Sequence, residues 1–339
     1  MHLLDARSCL FLLAAALGAG GCSSDPDSSS ETGQTAAGTG GATGTGTTTS
    51  TEATTGSGGA GGGGAGGAGT GGNNGFPAHW DDGLSCGSAP PIQVWAYDDN
   101  TYIFRQSLCT NFEGPFLYLL FGEDRALLQD TGTGAVDVQA AVAGVVDAWL
   151  ARNGKASIEL VVTHSHGHGD HVGGDDQFAG QPDTTVVGTS QAAVSAFFGI
   201  DAWPTQIVTY ELGGRTLDIL PIPGHQGAHV AVYDRRDRLL LTGDTLYPGR
   251  LYINSWTDYR ASIQRMVDFV ENGNSVTWVL GTHIEMDTAG DDYAFGADQH
   301  PNEHALELTY PVLLELNDAV VAQGDSPVYE AHDDFILYP

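Results

Sequence analysis

After Thr163 the chain reads His164-Ser165-His166-Gly167-His168-Gly169-Asp170-His171-Val172-Gly173-Gly174. Four histidines and an aspartate fall within eight residues, directly behind the apolar run Ile158–Thr163. Such a run reads as a strand covered on both faces. A solvated histidine-rich loop has no reason to follow a buried strand, whereas imidazole and carboxylate donors together suit zinc and its neighbours. Gly167 and Gly169 carry no Cβ, so a tight loop is expected to turn several side chains toward one point. This stretch constrains the fold most, because a strand end this rich in donors must be met by others.

Three other places repeat the pattern. The strand expected at Thr216–Ile222 runs into Pro223-Gly224-His225, that at Arg238–Thr242 into Gly243-Asp244-Thr245, and that at Ser275–Leu280 into Gly281-Thr282-His283. Each time an apolar strand ends at a small residue or turn, and His or Asp follows. Singly, His225 or His283 would read as a satisfied structural histidine; together with the cluster they read as ligands. Strand ends delivering donors from dispersed sequence are how a layered α/β scaffold assembles one site.

The remaining pattern agrees with that architecture. Strands are expected at Ile92–Tyr97, Thr101–Arg105, Phe116–Phe121, Ala126–Gln129, Thr184–Val187, Gln206–Glu211 and His229–Asp234. Apolar residues at helical spacing (Val138, Ala141, Val142, Val145, Val146, Trp149) predict a helix over Val136–Leu150, closed by Asn153-Gly154. Further helices are expected at Asp258–Glu271 and from Glu303 to Val321, the latter capped near Asn302. Strand clusters followed by helices give an α/β class with helices outside.

His166-x-His168-x-Asp170-His171, Pro223-Gly224-His225, Gly243-Asp244-Thr245 and Gly281-Thr282-His283, in this order, resemble the metallo-β-lactamase superfamily of binuclear metallohydrolases. The resemblance covers most of residues 90–290 and implies a four-layer αβ/βα sandwich with the metals at the sheet edge. By the same resemblance His166, His168 and His225 would hold one divalent ion, Asp170, His171 and His283 a second, with Asp244 bridging and zinc the expected metal. His164 stands two residues before the motif, where a Thr or Ser directly before the first histidine is usual. It is expected behind the ligands or packed at the strand end. Ligand histidines need acceptors for their other ring nitrogen, and Glu285 and Asp287 are the near candidates in sequence.

The expected chemistry follows from charge. Two divalent ions held by two carboxylates leave a bridging water acidified to a pKa of about 7, giving hydroxide at neutral pH. Asp170 is the expected catalytic residue, orienting the nucleophile and passing a proton to the leaving group. Tyr247 reads either as a donor to an oxyanion or as a packing residue. His229 opens an apolar strand and reads as structural. His300 and His304 read as surface residues or as part of the substrate-facing rim.

In the family resembled, true β-lactamases place Cys or Ser where Asp244 stands, and thioester hydrolases and lactonases keep Asp. The substrate is therefore expected to be a small ester, lactone, thioester or amide. Competing expectations are an iron-dependent oxidoreductase on the same fold, a β-lactamase, or a module in which metals only staple the structure. Nucleic acid is excluded as a partner by charge. The 264 residues from 76 onward carry 11 Lys/Arg against 37 Asp/Glu, a formal charge of −26 of the whole chain's −30.

The N-terminal quarter has a different composition. Residues 1–22 combine Arg7, the apolar run Leu10–Leu17 and Gly18-Ala19-Gly20-Gly21-Cys22, the proportions of an export signal. The end of this segment resembles a bacterial lipobox, which would make Cys22 a lipid anchor in the cell envelope; an ordinary cleaved signal with an incidental Cys is the alternative. Residues 23–75 hold 19 of the 48 glycines and no aromatic, Val, Ile, Leu or Met residue, so they read as a disordered linker. A flexible chain of that length reaches about 40 Å. Residues 76–339 then form the catalytic domain. Its two cysteines, Cys86 and Cys109, form either one disulfide or two buried thiols.

Overall fold

A computed structural model describes residues 75–339; the expected signal, Cys22 and the linker to residue 74 lie outside the described residues. The chain runs through β1 (Ile92–Asp98), β2 (Thr101–Gln106), β3 (Phe116–Phe121), β4 (Arg125–Gln129), α1 (Val138–Asn153) and β5 (Glu159–Thr163). Two one-turn helices follow, α2 (Gly169–Val172) and α3 (Asp175–Phe178), then β6 (Thr184–Val186) and α4 (Gln191–Phe198). The second half holds β7 (Val208–Glu211), β8 (Thr216–Pro221), β9 (Val230–Asp234), β10 (Leu239–Gly243), β11 (Arg250–Tyr252), α5 (Trp256–Glu271) and β12 (Trp278–Gly281). It closes with β13 (Glu307–Leu308), α6 (Tyr310–Gln323), β14 (Glu330–Ala331) and β15 (Ile336–Tyr338).

The strands pair into two six-stranded sheets, ordered β1-β2-β3-β4-β5-β6 and β13-β12-β10-β9-β8-β7, with β11-β15-β14 as a small third sheet. Pleat alternation sorts their side chains into layers. In β3, Leu117, Leu119 and Phe121 face α1 with Val142 and Trp149. The alternate residues Phe116, Tyr118 and Leu120 face the second sheet, meeting Leu217, Ile219, Val230 and Leu241. On that sheet's far side Leu220, Tyr233, Leu240 and Val279 pack under α5 and α6 through Ile263, Met266, Leu313 and Leu316. Three apolar layers between helix, sheet, sheet and helix make the four-layer αβ/βα sandwich. Each buried Leu or Phe contributes about 1.5–3 kcal/mol.

Local chemistry fixes the ends. Asp137 caps α1 by accepting from the Ala140 amide at 2.9 Å, and Gly154 ends it in the left-handed conformation at φ 64°. Arg215, buried in the second sheet, is bidentate to Asp234 at 3.0 and 2.7 Å and donates to Asn100 O at 2.7 Å, tying the sheets together. One expected boundary is corrected. The last helix starts at Tyr310, not Glu303, because Glu307 and Leu308 pair with β12 as a strand and Pro311 supplies the first helical turn. Thr309 occupies the cap position, and Asn302 lies in a turn at φ 61°.

Candidate metal centre

The loops after β5, β8, β10 and β12 converge at one edge of the two sheets. His166, His168, His225 and Asp244 form one donor group, and Asp170, His171, Asp244 and His283 form a second; within each, the donor atoms lie within 4.8 Å of one another. In the first, His166 Nε2 lies 2.9 Å from His168 Nδ1 and 3.2 Å from His225 Nε2. In the second, Asp170 Oδ2 lies 3.1 Å from His171 Nε2 and 3.2 Å from His283 Nε2. Asp244 divides between them. Its Oδ2 faces His225 and His166 at 3.4 and 3.6 Å, and its Oδ1 faces His171 and His283 at 3.3 and 3.4 Å.

These separations suit a metal better than hydrogen bonds. Four donors at the 2.0–2.1 Å of a zinc–nitrogen bond lie about 3.3 Å apart at tetrahedral corners. The ring nitrogens pointing away from the centre are also tied to acceptors. His225 Nδ1 donates to Tyr252 O at 2.7 Å, His283 Nδ1 to Glu113 O at 2.9 Å, and His171 Nδ1 to Asp130 Oδ2 at 3.0 Å. Each acceptor holds the proton on Nδ1 in the neutral ring and leaves the Nε2 lone pair facing the cluster. Among the described residues, His171 Nε2 is buried without a hydrogen-bond partner. The residues present therefore fit two divalent cations, with Asp244 as the shared ligand.

Backbone geometry explains why glycine precedes two of the donors. Gly224 sits at φ 147°, and a Cβ there would lie 2.4 Å from the Tyr259 backbone. Gly243 sits at φ 53°, where a Cβ would lie 2.4 Å from His229 Nε2. The glycines of the histidine loop are a partial correction. A Cβ at Gly169 would meet nothing within 4 Å, and at Gly167 it would meet Thr189 at 3.2 Å and Gln226 at 3.7 Å, so crowding does not demand glycine at 169.

The electrostatics divide the cluster. Burial and the neighbouring histidines hold His166 well below the ordinary imidazole value, and His168 is lowered by burial and His225. Burial also opposes a charge on His171 and His283, but carboxylates outweigh it. Asp244, Asp130 and Asp170 raise His171 well above its usual value, and Asp244 and Asp170 push His283 up to about 10. Asp170 and Asp244 are held low despite burial, each chiefly by His171.

Asp130 joins the site without being among the residues expected from sequence. Fully buried at the end of β4 with φ 71°, it accepts from Ser165 N at 2.7 Å, Ser165 Oγ at 2.8 Å and His171 Nδ1. The signal was present, since Ala126–Gln129 is one more apolar strand running into an Asp. The near-sequence acceptors Glu285 and Asp287 do not hold ligand histidines. Glu285 pairs with Arg250 at 3.4 Å, and Asp287 accepts from the amides of Ala289 and Asp291.

His164 is not among the donors. Its Nε2 pairs with Asp175 at 2.8 Å, and Asp175 accepts from Thr131 Oγ1, whose amide donates to His171 O. Tyr247 is a packing residue. It is buried, its hydroxyl donates to Arg250 O, and its ring meets His283 edge-on at 5.5 Å, the geometry of the packing alternative. His229 stacks on His166 at 4.7 Å and stands outside both donor groups. His300 is buried rather than on the surface, bonded to Glu303 at 3.1 Å and stacked on Tyr293 at 4.2 Å. His304 Nε2 pairs with Asp334 at 3.0 Å. Cys86 and Cys109 form a disulfide with Cα atoms 5.3 Å apart, which settles the two alternatives for them.

Residues 111–283 match the family described as the metallo-beta-lactamase superfamily. A hydroxyacylglutathione hydrolase of Methylococcus capsulatus is 35% identical over 145 residues, covering 41% of this chain and 55% of that protein. An acyl-coenzyme A thioesterase of Bos taurus is 24% identical over 193 residues, 46% of this chain and 68% of the relative. Among solved structures, a metallo-beta-lactamase from Pontibacter korlensis superposes with a TM-score of 0.46 at 17% identity, covering 68% of this chain and all of that one. The chain spans about half the length of the hydroxyacylglutathione hydrolases it matches.

Proposed function

From the chain's place in the metallo-beta-lactamase superfamily, to which it belongs, we propose that it is an exported, zinc-dependent hydrolase of a small ester, lactone, thioester or amide. One observation carries this: the two oxygens of Asp244 divide between two complete donor groups. His166, His168 and His225 would hold one divalent ion, Asp170, His171 and His283 the other. When bound, such a pair supplies an acidified water as nucleophile and a Lewis acid for the substrate's oxygen.

The chain's own residues do the rest. Asp130, Tyr252 O and Glu113 O fix the tautomer and orientation of three imidazoles. Thr282 donates to Asp244 Oδ1 at 2.5 Å and holds the shared carboxylate in place. Asp170 is partly exposed, and its Oδ2 faces His171 and His283. Its other oxygen can accept a proton from the attacking water and return it to the leaving group.

The disulfide supports an oxidising compartment, which fits export through residues 1–22 and tethering at Cys22. A bacterial envelope location follows from that tether. Among the described residues no helix is long and apolar enough to cross a membrane, so attachment would rest on the lipid anchor. The partner is then a small molecule, and nucleic acid is disfavoured by the charge of −26. Thioester hydrolases among the relatives favour an activated acyl group over a phosphate ester.

A panel of thioesters, lactones, phosphodiesters, sulfate esters and β-lactams tests the proposal. Zinc-loaded protein should hydrolyse at least one acyl substrate, and Asp244→Ala should abolish it. Activity that survives Asp244→Ala, or that follows stoichiometric iron with no zinc, would contradict it.

A further inference from the structure

Three segments form a rim beside the metal centre. The loop after β2 reaches Glu113, whose carbonyl holds His283, and Phe116 N donates to Thr282 O at 2.8 Å on the same stretch. The segment after His283 returns over this loop, where Phe295 meets Phe112 edge-on at 5.6 Å. Residues 82–86 brace both: Cys86 is bonded to Cys109, and His300 N donates to Asp82 O at 2.8 Å. The aromatic pair is left uncovered, with Phe112 36% and Phe295 74% exposed. Two adjoining exposed phenylalanines next to a reaction centre are apolar surface without a protein partner.

The charge of this rim has one sign. Glu113 is half-buried, and among the described residues its carboxylate makes no hydrogen bond or ion pair. It lies close enough to His283, Asp170, Glu285 and Asp244 to feel all four charges. The arginines on the rim are engaged. Arg250 pairs with Glu285 and with Asp292 at 2.8 Å, and Arg105 is buried against Glu303 through two hydrogen bonds. Lys155 sits over the Trp149 ring on the α1 side, and Arg238 stands at the start of β10, whose opposite end carries Asp244. Among the described residues, neither Arg250 nor Arg105 is left unpaired at the rim to receive a carboxylate or phosphate.

We propose that Glu113, Phe112 and Phe295 set specificity, selecting substrates with an aromatic-sized apolar group beside a cationic group and rejecting anionic thiol carriers such as glutathione and coenzyme A. The selection rests on the hydrolase reading above. The exposed surface of the Phe112–Phe295 pair would pack against the apolar group, and Glu113 would face the cation at the open side of the pair. The charged end of an anionic carrier would instead meet Glu113 with neither rim arginine free to offset it.

Calorimetry with two non-hydrolysable thioethers, S-benzylthiocholine and S-benzylglutathione, on the full zinc-loaded chain tests the selection without depending on turnover. The cation should bind at least about tenfold tighter, roughly the 1.4 kcal/mol of one partly buried charge contact. Glu113→Gln should remove most of that preference, Glu113→Lys should reverse it, and Phe295→Ala should weaken both ligands. Circular dichroism and zinc content of the same variants separate a lost contact from a lost fold. Equal or tighter binding of S-benzylglutathione by the wild-type chain would overturn the proposal. So would a preference that persists in folded Glu113→Gln and Glu113→Lys. Hydrolysis of the matching phenylacetyl thioesters is scored separately: cation-selective binding without turnover would fail the hydrolase reading and leave the selection standing.

Discussion

The two halves of the metal centre are built from the same residue types and behave oppositely. His166 and His168 lie among imidazoles, with Asp244 as the one carboxylate of their donor group, and burial lowers both. His171 and His283 lie among Asp130, Asp170 and Asp244, which hold protons on even against burial. Lone pairs are thereby favoured at His166 and His168 without a metal. In the second, the carboxylates favour the protonated imidazole, so a cation there competes with protons. Composition alone does not set a site's affinity; the ratio of carboxylate to imidazole within a few ångströms does.

The largest effect should come from removing what the halves share. Asp244→Ala takes a ligand from both, and losing several kcal/mol of metal-borne stabilisation corresponds to on the order of a thousandfold in kcat/KM. Steady-state kinetics on the best substrate, with zinc content of the same sample, measures it.

Asp130→Ala should separate the halves. It leaves His171 Nδ1 without its acceptor, so zinc affinity of the second half should fall about 10–100-fold while the first is unchanged. Competition with a zinc-sensing chelator reads the two affinities apart.

Titration should separate them again. Uptake of the second zinc at pH 7 should release protons and that of the first few, which calorimetry in buffers of different ionisation enthalpy resolves. The sign for stability is definite. The raised values of His171 and His283 stabilise the metal-free fold fully below the unfolded imidazole value of about 6.5. That stabilisation is lost as pH rises through the folded values, about 10 for His283. The lowered values of Asp170 and Asp244 stabilise above the unfolded carboxylate value of about 4 and are lost on acidification. The lowered values of His166 and His168 act the other way and cost stability below about pH 6.5, so the metal-free protein should melt highest near that pH. A metal-free melting temperature that rises from pH 7 to 10 would break the comparison.

The smallest change is expected at Tyr247. Its hydroxyl is held by Arg250 O and lies 3.2 Å from Glu285, away from the donors. Tyr247→Phe should cost about 1 kcal/mol of stability and leave kcat within a few-fold. A hundredfold fall in kcat at unchanged zinc content would return it to the chemistry.

Why the halves differ was only partly legible in the chain. Apolar runs ending in Gly or Pro before His or Asp marked the strands that deliver donors, because strand period and backbone turn chemistry are both local. Asp130 was missed because Asp130-Thr131-Gly132 reads as turn chemistry, and its φ of 71° is indeed a turn conformation. Its role depends on β4 lying beside β5, with Gln129 opposite Thr163, and no local pattern shows that. The strands β11, β13, β14 and β15 are two or three residues long, too short for any periodicity. Thr309 replaced the Asn302 region as the start of the last helix for the same reason, since β13 exists only by pairing with β12. Tyr247 could not be placed from sequence, where a phenol near a ligand and a phenol buried against a carbonyl look alike.

Elemental analysis with native mass spectrometry, on chain purified without chelators, tests the shared-ligand centre most directly. Two divalent ions per wild-type chain, and no more than one in Asp244→Ala, are the predicted result. One ion or none in the wild type, or two retained after Asp244→Ala, would contradict it.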